Sequence, residues 1–274
     1  MTQRHDPVSQ IASVPLWYHT LELAPGITTP GWFDLRPIAG RLPWPDVRGK
    51  RCLDIGTFDG FLAFELERRG ASEVIATDLV AHEDWDWPPV LRDRGPQAMA
   101  ELAGEKGRGF EIARGMLGSS VERMLVSVYD LDPEEHGQFD VVVCGSLLLH
   151  LREPLRALER IRAVCRGQLM SSEEIDLRLT VLHPRRPVLR FDGLSELFQW
   201  TIPNVAAHRR MIAAMGFDPV RSSGPYAVPY GSAHPPRPRT AAELVKKARR
   251  RLFAGGDGVP HHALLAQVRE PKPG

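Results

Sequence analysis

The sequence predicts an α/β fold whose central sheet is mostly parallel, with helices on both faces. Two observations predict this fold class. First, residues 51–56 form an apolar strand pattern, 61–69 carry apolar residues at helical spacing, and 73–78 form a second short strand. Such a strand–helix–strand unit usually belongs to a parallel sheet. Second, strand and helix patterns continue to alternate downstream of this unit.

The remaining elements follow from local patterns, taken in chain order. The proline-rich residues 1–49 show little periodicity, and we interpret them as an extension that packs on the main domain or covers its active site as a lid. The main domain spans 50–274, with helical insertions at about 82–120, a strand-poor connection at about 172–203 and a basic excursion at about 229–258. Within it, the patterns predict helices at 97–102, 109–117, 154–165 and 204–215, and strands at 121–128, 139–145, 167–171, 217–221 and 262–269.

The composition limits the classes of partner and compartment. The 274 residues include 35 basic and 34 acidic side chains, and the formal charge of +1 argues against a strong overall attraction to nucleic acid or an anionic membrane. Residues 1–10 lack the apolar core of a signal peptide, and no apolar run is long enough to span a membrane. The three cysteines lack close spacing, which indicates reduced thiols. We therefore expect a cytoplasmic protein without a membrane partner.

The segment after the first strand has the features of a cofactor site. Gly56 and Gly60 lie in the turn between that strand and the next helix, where glycine permits positive φ and the close approach of a ligand. Asp78 ends the following strand, 24 residues after Asp54. A carboxylate at this place can accept hydrogen bonds from both hydroxyls of a ribose. The glycine turn together with the acid at the end of the next strand indicates a cofactor site far more specifically than the glycines alone.

The same turn discriminates among cofactors that contain a ribose. A dinucleotide site uses the spacing G-x-G-x-x-G to place a pyrophosphate on a helix N-terminus. Here Phe58 occupies the middle position, and Asp59 would bring a negative charge near the phosphates. S-adenosylmethionine (SAM) has a ribose, no phosphate and a sulfonium cation that favours nearby carboxylates. The spacing therefore favours SAM.

The motifs resemble those of the class I SAM-dependent methyltransferases. The run Asp54-Ile-Gly-Thr-x-x-Gly60 resembles their glycine-rich motif, Asp78 matches their ribose-binding acid, and residues 144–154 resemble their fourth strand and the helix after it. The resemblance implies a Rossmann-like, seven-stranded, mostly parallel sheet with an antiparallel last strand. It also implies a cofactor-binding set consisting of Asp54, Gly56, Thr57, Gly60, Asp78, Leu79, Tyr129, Asp130 and Ser146. Tyr129 and Asp130 would border the adenine or simply end a strand, and Ser146 would contact the methionine moiety or cap a turn.

A closer resemblance includes the N-terminal extension. Residues 17–34, together with 53–60 and 145–150, are similar to bacterial tRNA wobble-uridine (5-methoxy- or 5-carboxymethoxyuridine) methyltransferase-like proteins. Two positions depart from that pattern. Phe58 replaces the middle glycine, and Leu149 stands where the carboxymethyl-transferring members have a tyrosine that helps to hold their modified cofactor. The departure at Leu149 favours ordinary SAM.

Several side chains are candidates for catalysis and for acceptor binding. His150 follows the fourth strand, where a neutral imidazole could take a proton from an oxygen or nitrogen nucleophile, although a structural histidine is the alternative. Glu173 follows the fifth strand, at the edge where ligands bind, and either orients the acceptor or is a solvated carboxylate. Three residues of the extension are predicted to line the acceptor pocket, namely Trp17, His19 and Trp32.

The sequence also contains a group of histidines and a run of basic residues. His208, His261 and His262 have no cysteine or acidic partner at ligand spacing, so no metal site is predicted. The basic residues of 237–251 are interpreted as a solvated helix face, with a contact to RNA or an anionic substrate as the alternative.

Together these features predict a SAM-dependent methyltransferase that acts on an oxygen or nitrogen of a small molecule, in secondary metabolism. Because SAM is already activated, the protein would supply mainly proximity, alignment and desolvation. The alternatives are a tRNA wobble-uridine-modifying enzyme and a non-catalytic SAM-binding module. The sequence leaves the oligomeric state open.

Overall fold

A computed structural model describes residues 6–92, 105–193, 198–235 and 240–270 of the chain. The helices of these ranges are α1 (Pro7–Ala12), α2 (Phe61–Arg68), α3 (Pro89–Arg92), α4 (Arg108–Leu117), α5 (Pro133–His136), α6 (Pro154–Val164), α7 (Leu177–Leu182), α8 (Val205–Ala214) and α9 (Ala241–Ala254). The strands are β1 (Glu22–Ala24), β2 (Ile27–Thr28), β3 (Arg51–Ile55), β4 (Glu73–Asp78), β5 (Glu122–Leu125), β6 (Phe139–Gly145), β7 (Cys165–Glu174), β8 (Leu189–Phe191), β9 (Thr201–Pro203), β10 (Phe217–Pro229) and β11 (Gly258–Val268). The helix predicted at 97–102 lies outside the described residues.

Seven strands form the central sheet in the order β10-β11-β7-β6-β3-β4-β5. Strands β3 to β7 run parallel to one another, whereas β11 is antiparallel to both of its neighbours, β7 and β10. The two short sheets β1-β2 and β8-β9 lie outside it. The predicted fold class, a seven-stranded and mostly parallel sheet with an antiparallel last strand, is confirmed.

Strand β6 illustrates how the sequence specifies a sheet that is covered on both faces. Val141 and Val143 belong to the hydrophobic cluster that contains α2 and α4, whereas Val142 and Cys144 belong to the cluster that contains α6 and Ile212 of α8. Successive side chains of a strand point to opposite faces. A continuous apolar run is therefore what a strand between two helical layers requires.

Residues 6–49 form an integral layer of this domain. Trp17, Leu21 and Leu23 are buried in the same cluster as α2 and α4, and Trp17 Nε1 donates a hydrogen bond to the carbonyl of Ile11 at 3.0 Å. Backbone bridges join Phe33 to residues 19 and 230, which ties the extension to the end of β10.

The fifth strand extends beyond its predicted end at residue 171. Strand β7 continues to Glu174, and α7, β8 and β9 follow it. Ser172 begins a polar stretch that was placed after the strand, but Ser171 and Ser172 are both buried in the strand. Their hydroxyls are hydrogen-bonded there, to His208 Nε2 at 2.9 Å and to Tyr226 Oη at 2.6 Å, so this polar stretch can remain inside the sheet.

The excursion predicted at 229–258 contains more regular structure than its proline and glycine content indicates. Strands β10 and β11 extend toward it from both sides, and α9 lies between them with Thr240 as its N-cap. The third strand of the parallel run is shorter than predicted. It ends at Leu125, and the 3-10 turn Val128–Asp130, capped by Ser127, replaces its expected end.

Cys52, Cys144 and Cys165 are buried and free. In the described ranges, no helix combines the length and apolarity needed to cross a membrane. Nor do those ranges contain a group of three or more His, Cys, Asp or Glu side chains arranged to hold a metal ion.

Candidate functional site

The carboxyl ends of five strands bring most of the predicted site residues to one edge of the sheet. Ile55 of β3 lies opposite Thr77 of β4 on one side and Cys144 of β6 on the other. Farther along the sheet, Glu174 of β7 lies opposite His261 of β11. Residues at this edge are therefore neighbours: Asp78, Gly56, Ser146 and Glu173 end parallel strands or follow them, and His261 lies near the start of the antiparallel β11. Ligands of open α/β sheets bind at such an edge.

The turn between β3 and α2 is held by β4 and by its own packing. The amides of Gly56 and Thr57 both donate to the carbonyl of Thr77 at 3.0 Å. Gly60 has a φ of +95°, and a Cβ at this position would lie only 2.4 Å from Phe64 Cε2. Packing of the turn against α2 is thus sufficient to require glycine at position 60, apart from any approach of a cofactor.

Asp54 is a buried carboxylate at the end of β3. It is 1% exposed, and its Oδ2 has no hydrogen-bond partner among the described residues. Burial raises the pKa of Asp54 to about 7. A buried carboxylate oxygen is costly unless a cation or a hydrogen-bond donor pairs with it. This position therefore suits a cationic ligand group.

Asp78 ends β4 and has two partners within the protein. Its Oδ1 accepts a hydrogen bond from the amide of Leu79 at 2.8 Å, and its Oδ2 forms an ion pair with the ammonium of Lys106. Lys106 is itself buried, and its Nζ lies 5.4 Å from the ring centroid of Phe58 and 5.8 Å from that of Trp85. A diol that binds Asp78 must displace Lys106 or share the carboxylate with it.

Asp59 joins the cofactor turn to the N-terminal extension. The backbone amide of His19 donates to Asp59 Oδ2 at 2.7 Å, and the ring Nδ1 of His19 pairs with Asp59 Oδ1. Both side chains are almost completely buried. This geometry corrects one argument made from the sequence, because the carboxylate of Asp59 is bound by His19 and does not point freely toward a phosphate.

The three residues predicted for the acceptor pocket have different surroundings. Trp17 is enclosed in the hydrophobic core, so its side chain has no surface to offer an acceptor. His19 is held by Asp59, as described above. Trp32 is half-buried, and its ring centroid lies 6.3 Å from that of His234.

Tyr129 and Asp130 lie on the 3-10 turn after β5, with Asp130 exposed. The hydroxyl of Tyr129 donates to Asp86 Oδ2 at 2.6 Å, and the same oxygen accepts from the amide of Arg152 at 2.9 Å. The carbonyl of Asp86 accepts from Trp200 Nε1 at 2.6 Å. Asp86 therefore fastens the insertion that follows β4 to the turn after β5 and to the loop after β6.

Ser146 and His261 form a hydrogen-bonded pair at the end of β6. Ser146 has a φ of +50°, which is unusual for a residue other than glycine. Its Oγ lies 2.9 Å from His261 Nε2, and His261 Nδ1 lies 3.0 Å from the carbonyl of Val259. Because a carbonyl only accepts, Nδ1 carries the proton and the hydroxyl of Ser146 donates to Nε2. Burial lowers the pKa of His261 to about 4, so this imidazole is neutral at physiological pH.

Glu173 lies beneath the turn that carries His150. It is 1% exposed, and its two carboxylate oxygens accept hydrogen bonds from the amides of Leu147 at 3.4 Å and Leu148 at 3.2 Å. Burial raises the pKa of Glu173 to about 8. In this geometry Glu173 orients the loop after β6, because its oxygens are engaged by that loop.

His150 ends the 3-10 turn Leu148–His150 and is held in one tautomer. Its Nδ1 lies 2.9 Å from the carbonyl of Phe198, so Nδ1 carries the proton and Nε2 retains a free electron pair. Burial lowers the pKa of His150 from its ordinary value. Nε2 is therefore available as a proton acceptor at neutral pH.

No family model matches the chain, but solved structures share its fold over most of their length. The N-terminal domain of EvdMO1 with S-adenosylhomocysteine bound is 16% identical, with a TM-score of 0.54 and coverage of 99% of this chain and 98% of that one. The 1,6-didemethyltoxoflavin-N1-methyltransferase of Burkholderia thailandensis is 18% identical, with a TM-score of 0.53 and coverage of 86% and 78%. The chain has the fold of the class I SAM-dependent methyltransferases.

Curated relatives match part of this methyltransferase fold. The ubiquinone biosynthesis O-methyltransferase of Neisseria meningitidis is 31% identical over 109 residues, which cover 40% of this chain and 37% of that protein. The enzyme of the same name from Acinetobacter baumannii is 29% identical over 119 residues, or 42% and 40% of the two chains. The chain thus spans about two fifths of the length of these relatives.

The polar groups at the sheet edge of this methyltransferase fold fit SAM. Asp54 offers a buried carboxylate oxygen without a partner, which suits a cation. Asp78 offers a carboxylate whose present partner, Lys106, is a single side chain that a diol can replace. The turn from Gly56 to Gly60 connects these positions without a row of free amides for a pyrophosphate, since two of its amides are occupied by the carbonyl of Thr77.

Three residues at this edge were not predicted from the sequence. Lys106 lies within the insertion after β4, and no motif marks it. Tyr18 is partly buried, and its pKa is raised by burial and by the nearby charges of Glu174, Asp59 and Glu173. His261 was considered only as a metal ligand. The sequence does contain an indication of its position. The last strand was predicted to be antiparallel, and the first residues of a strand antiparallel to β7 lie at the edge where β7 ends.

Proposed function

We propose that the protein is a SAM-dependent methyltransferase that transfers a methyl group to an oxygen or nitrogen of a small molecule. The observation that carries this proposal is the pair of buried carboxylates at neighbouring strand ends. Asp54 has an oxygen left for a cation, and Asp78 is poised to accept a diol. Two acids so placed match a ligand with both a positive charge and a ribose.

In this proposal SAM supplies an activated methyl group on its sulfonium when it is bound. Asp54 stabilises the positive charge of the cofactor, and Asp78, with the amide of Leu79 beside it, binds the ribose. Gly56, Thr57 and Gly60 shape the turn under the cofactor, and Tyr129 and Asp130 border the adenine. The hydroxyl of Ser146, oriented by His261, faces the methionine moiety.

The protein's own catalytic contribution is to hold the acceptor and to accept its proton. His150 Nε2 takes the proton of an oxygen or nitrogen nucleophile, and the bond of Nδ1 to the carbonyl of Phe198 fixes the required tautomer. Glu173 is a positioning residue, because its carboxylate holds the amides of the turn that ends at His150. Alignment and the exclusion of water supply the remainder of the rate enhancement.

Aromatic side chains favour a flat or apolar acceptor. The ring of Phe58 lies 5.4 Å from that of Tyr18 and 6.5 Å from that of Trp85, while Trp87 lies 4.0 Å from Phe198. This series of rings runs from the extension across the cofactor turn to the segment beside His150. Trp87 is buried, so its partly exposed members are Tyr18, Phe58, Trp85 and Phe198. His19 contacts this series from the extension, with its ring centroid 4.9 Å from that of Tyr18. We retain Trp32 as a further candidate contact to the acceptor from the extension. Aromatic walls with a few polar groups are typical of small-molecule sites.

The comparisons support the class of acceptor. Two similar proteins carry names of enzymes that methylate a small molecule, one at an oxygen and one at a nitrogen. We infer an acceptor of comparable size, as in secondary metabolism. The buried and free cysteines support a reducing compartment, and we infer the cytoplasm.

The experiment is methyl transfer from SAM labelled in its methyl group. The protein is incubated with a cell lysate that has been separated into a small-molecule fraction and an RNA fraction. We expect label in the small-molecule fraction, with loss of transfer in Asp78→Asn. Label that appears only in the RNA fraction would replace this proposal with tRNA modification. Tight SAM binding without transfer to either fraction would favour a non-catalytic SAM-binding module.

A further inference from the structure

Helix α9 directs its ion pairs inward. Its inner face consists of Glu243, Lys247, Arg250 and Ala254, which follow one another at helical spacing and are partly or fully buried. Arg250 contacts Glu243 at 2.7 Å and Asp257 at 3.5 Å, and Lys247 contacts Asp257 at 2.9 Å. A helix on a protein surface usually does the opposite, with its apolar side toward the core and its charges toward water.

The outer face of α9 carries an apolar stripe bordered by cations. Leu244, Val245 and Leu252 are 65%, 51% and 75% exposed. Ala241 and Ala248 complete the stripe, since residues three, four and seven positions apart share one face of a helix. Exposed Arg249 and Arg251 border it on its two sides, whereas Lys246 lies nearer the inner face, 3.8 Å from Glu243. We call the five apolar residues and these two arginines the α9 outer face.

We propose that the α9 outer face docks on an anionic lipid surface. The apolar stripe would enter the boundary between headgroups and acyl chains, and the flanking cations would contact the anionic headgroups. An amphipathic helix with aliphatic residues on one side and Lys or Arg beside them binds membranes in this orientation. The interaction goes beyond the proposed methyl transfer and does not depend on it.

Charge and side-chain chemistry favour this occupant over the alternatives. The one acid of α9 is Glu243, which lies on the inner face, so two copies of the outer face would bring cations against cations. Leu and Val side chains do not stack on bases, and the one aromatic side chain of α9, Phe253, is 44% exposed but lies off the stripe. Proteins that bind single-stranded RNA instead combine basic residues with several aromatic platforms. The acyl chains of a lipid bilayer can bury the aliphatic stripe, and its anionic headgroups can pair with the arginines on either side of the stripe. In the sequence, Arg237 and Arg239 add positive charge just before the helix.

The test is vesicle flotation with the full-length protein. Vesicles of phosphatidylcholine alone are compared with vesicles that also contain phosphatidylglycerol. We expect the protein to float with the anionic vesicles only, and salt should weaken the binding. The double variants Leu244→Ser/Leu252→Ser and Arg249→Gln/Arg251→Gln should each lower the vesicle-bound fraction by about tenfold or more. Because all four side chains are exposed, unchanged thermal unfolding would show that both variants are folded.

Leu155→Ser is the matched control, since Leu155 is an exposed leucine of α6 on another surface. It should float like the unmodified protein. Failure of the protein to float, equal flotation with both vesicle types, or equal loss in the control would overturn the proposal. So would an electrophoretic shift of RNA that depends on the same arginines, or a dimer that dissociates when Leu252 is replaced. The methyl-transfer proposal would stand in each of these cases, because its readout is label transfer.

Discussion

Lys106 forms a buried ion pair with Asp78, the acid that the sequence motif assigns to the ribose. The pair leaves the carboxylate neutralised in the absence of ligand, and it places an ammonium against the rings of Phe58 and Trp85. Burial lowers the pKa of Lys106, while the charge of Asp78 opposes that effect. Under the proposed function, the cofactor and Lys106 compete for one carboxylate.

Replacement of Lys106 by methionine should therefore tighten SAM binding. The diol no longer has to displace an ammonium, and we expect the Kd to fall about tenfold, or about 1.4 kcal/mol. The unliganded variant should also unfold more easily, because Asp78 loses its partner. Calorimetry and thermal unfolding measure the two effects. Lys247→Met, which breaks an ion pair on α9, is the control that should leave the Kd unchanged. Weaker binding in Lys106→Met would mean that the lysine is part of the cofactor site.

The affinity for SAM should rise with pH around neutrality. The pKa of Asp54 is about 7 without ligand. A bound cation favours the carboxylate and lowers that pKa, so below pH 7 binding must release a proton. The Kd should weaken by up to about tenfold per pH unit below this value and level off above it. Titrations from about pH 6 to about pH 8 test the slope. Asp54→Asn should remove it, and an unchanged slope in that variant would assign it to another group.

Replacement of His150 should reduce turnover without a comparable effect on cofactor binding. For His150→Asn, which keeps a donor for the carbonyl of Phe198, we expect kcat to fall about 10²-fold to 10⁴-fold. In the unmodified protein, the acidic limb of the pH–rate profile should have its midpoint below about 6.5, because burial lowers the pKa of His150. The limb should disappear in the variant. A variant with normal kcat but lower thermal stability would identify a structural histidine.

Gly60→Ala should destabilise the fold as well as weaken binding. The new Cβ would clash with Phe64, and the positive φ is unfavourable for alanine. We expect a loss of about 2–4 kcal/mol in the free energy of unfolding, measured with urea. Gly40→Ala is the control, since a Cβ at Gly40 meets nothing within 4 Å. If Gly60→Ala kept full stability and lost SAM binding, close approach of the cofactor would be the sole reason for glycine.

The fold was predictable because its signals are local. Alternating apolar strands and helices define the parallel run, and continuous apolar segments such as that of β6 identify strands buried on both faces. The continuation of β7 from Ser172 to Glu174 was not predictable, because the polar side chains at this end of the strand, Ser171 and Ser172, are stabilised by partners from α8 and β10. Those partners are distant in sequence and come together only in the folded chain.

The same distinction between local and long-range contacts applies to the candidate site. Asp54, Gly56 and Asp78 were predicted because their spacing is set by one strand–helix–strand unit. The partners that control them come from elsewhere, such as Lys106 for Asp78. His261 shares a hydrogen bond with Ser146 only because of the register of β11 against β7.

The most direct test of the account is a calorimetric titration of SAM into the unmodified protein and into Asp78→Asn. We expect saturable binding to the unmodified protein at one site, with binding to the variant weaker by about tenfold to a hundredfold, because charge-assisted hydrogen bonds to the ribose are lost. Far weaker binding of a nicotinamide dinucleotide should accompany this result. The absence of SAM binding to the unmodified protein, or an equal Kd in a folded Asp78→Asn, would contradict the proposed cofactor site.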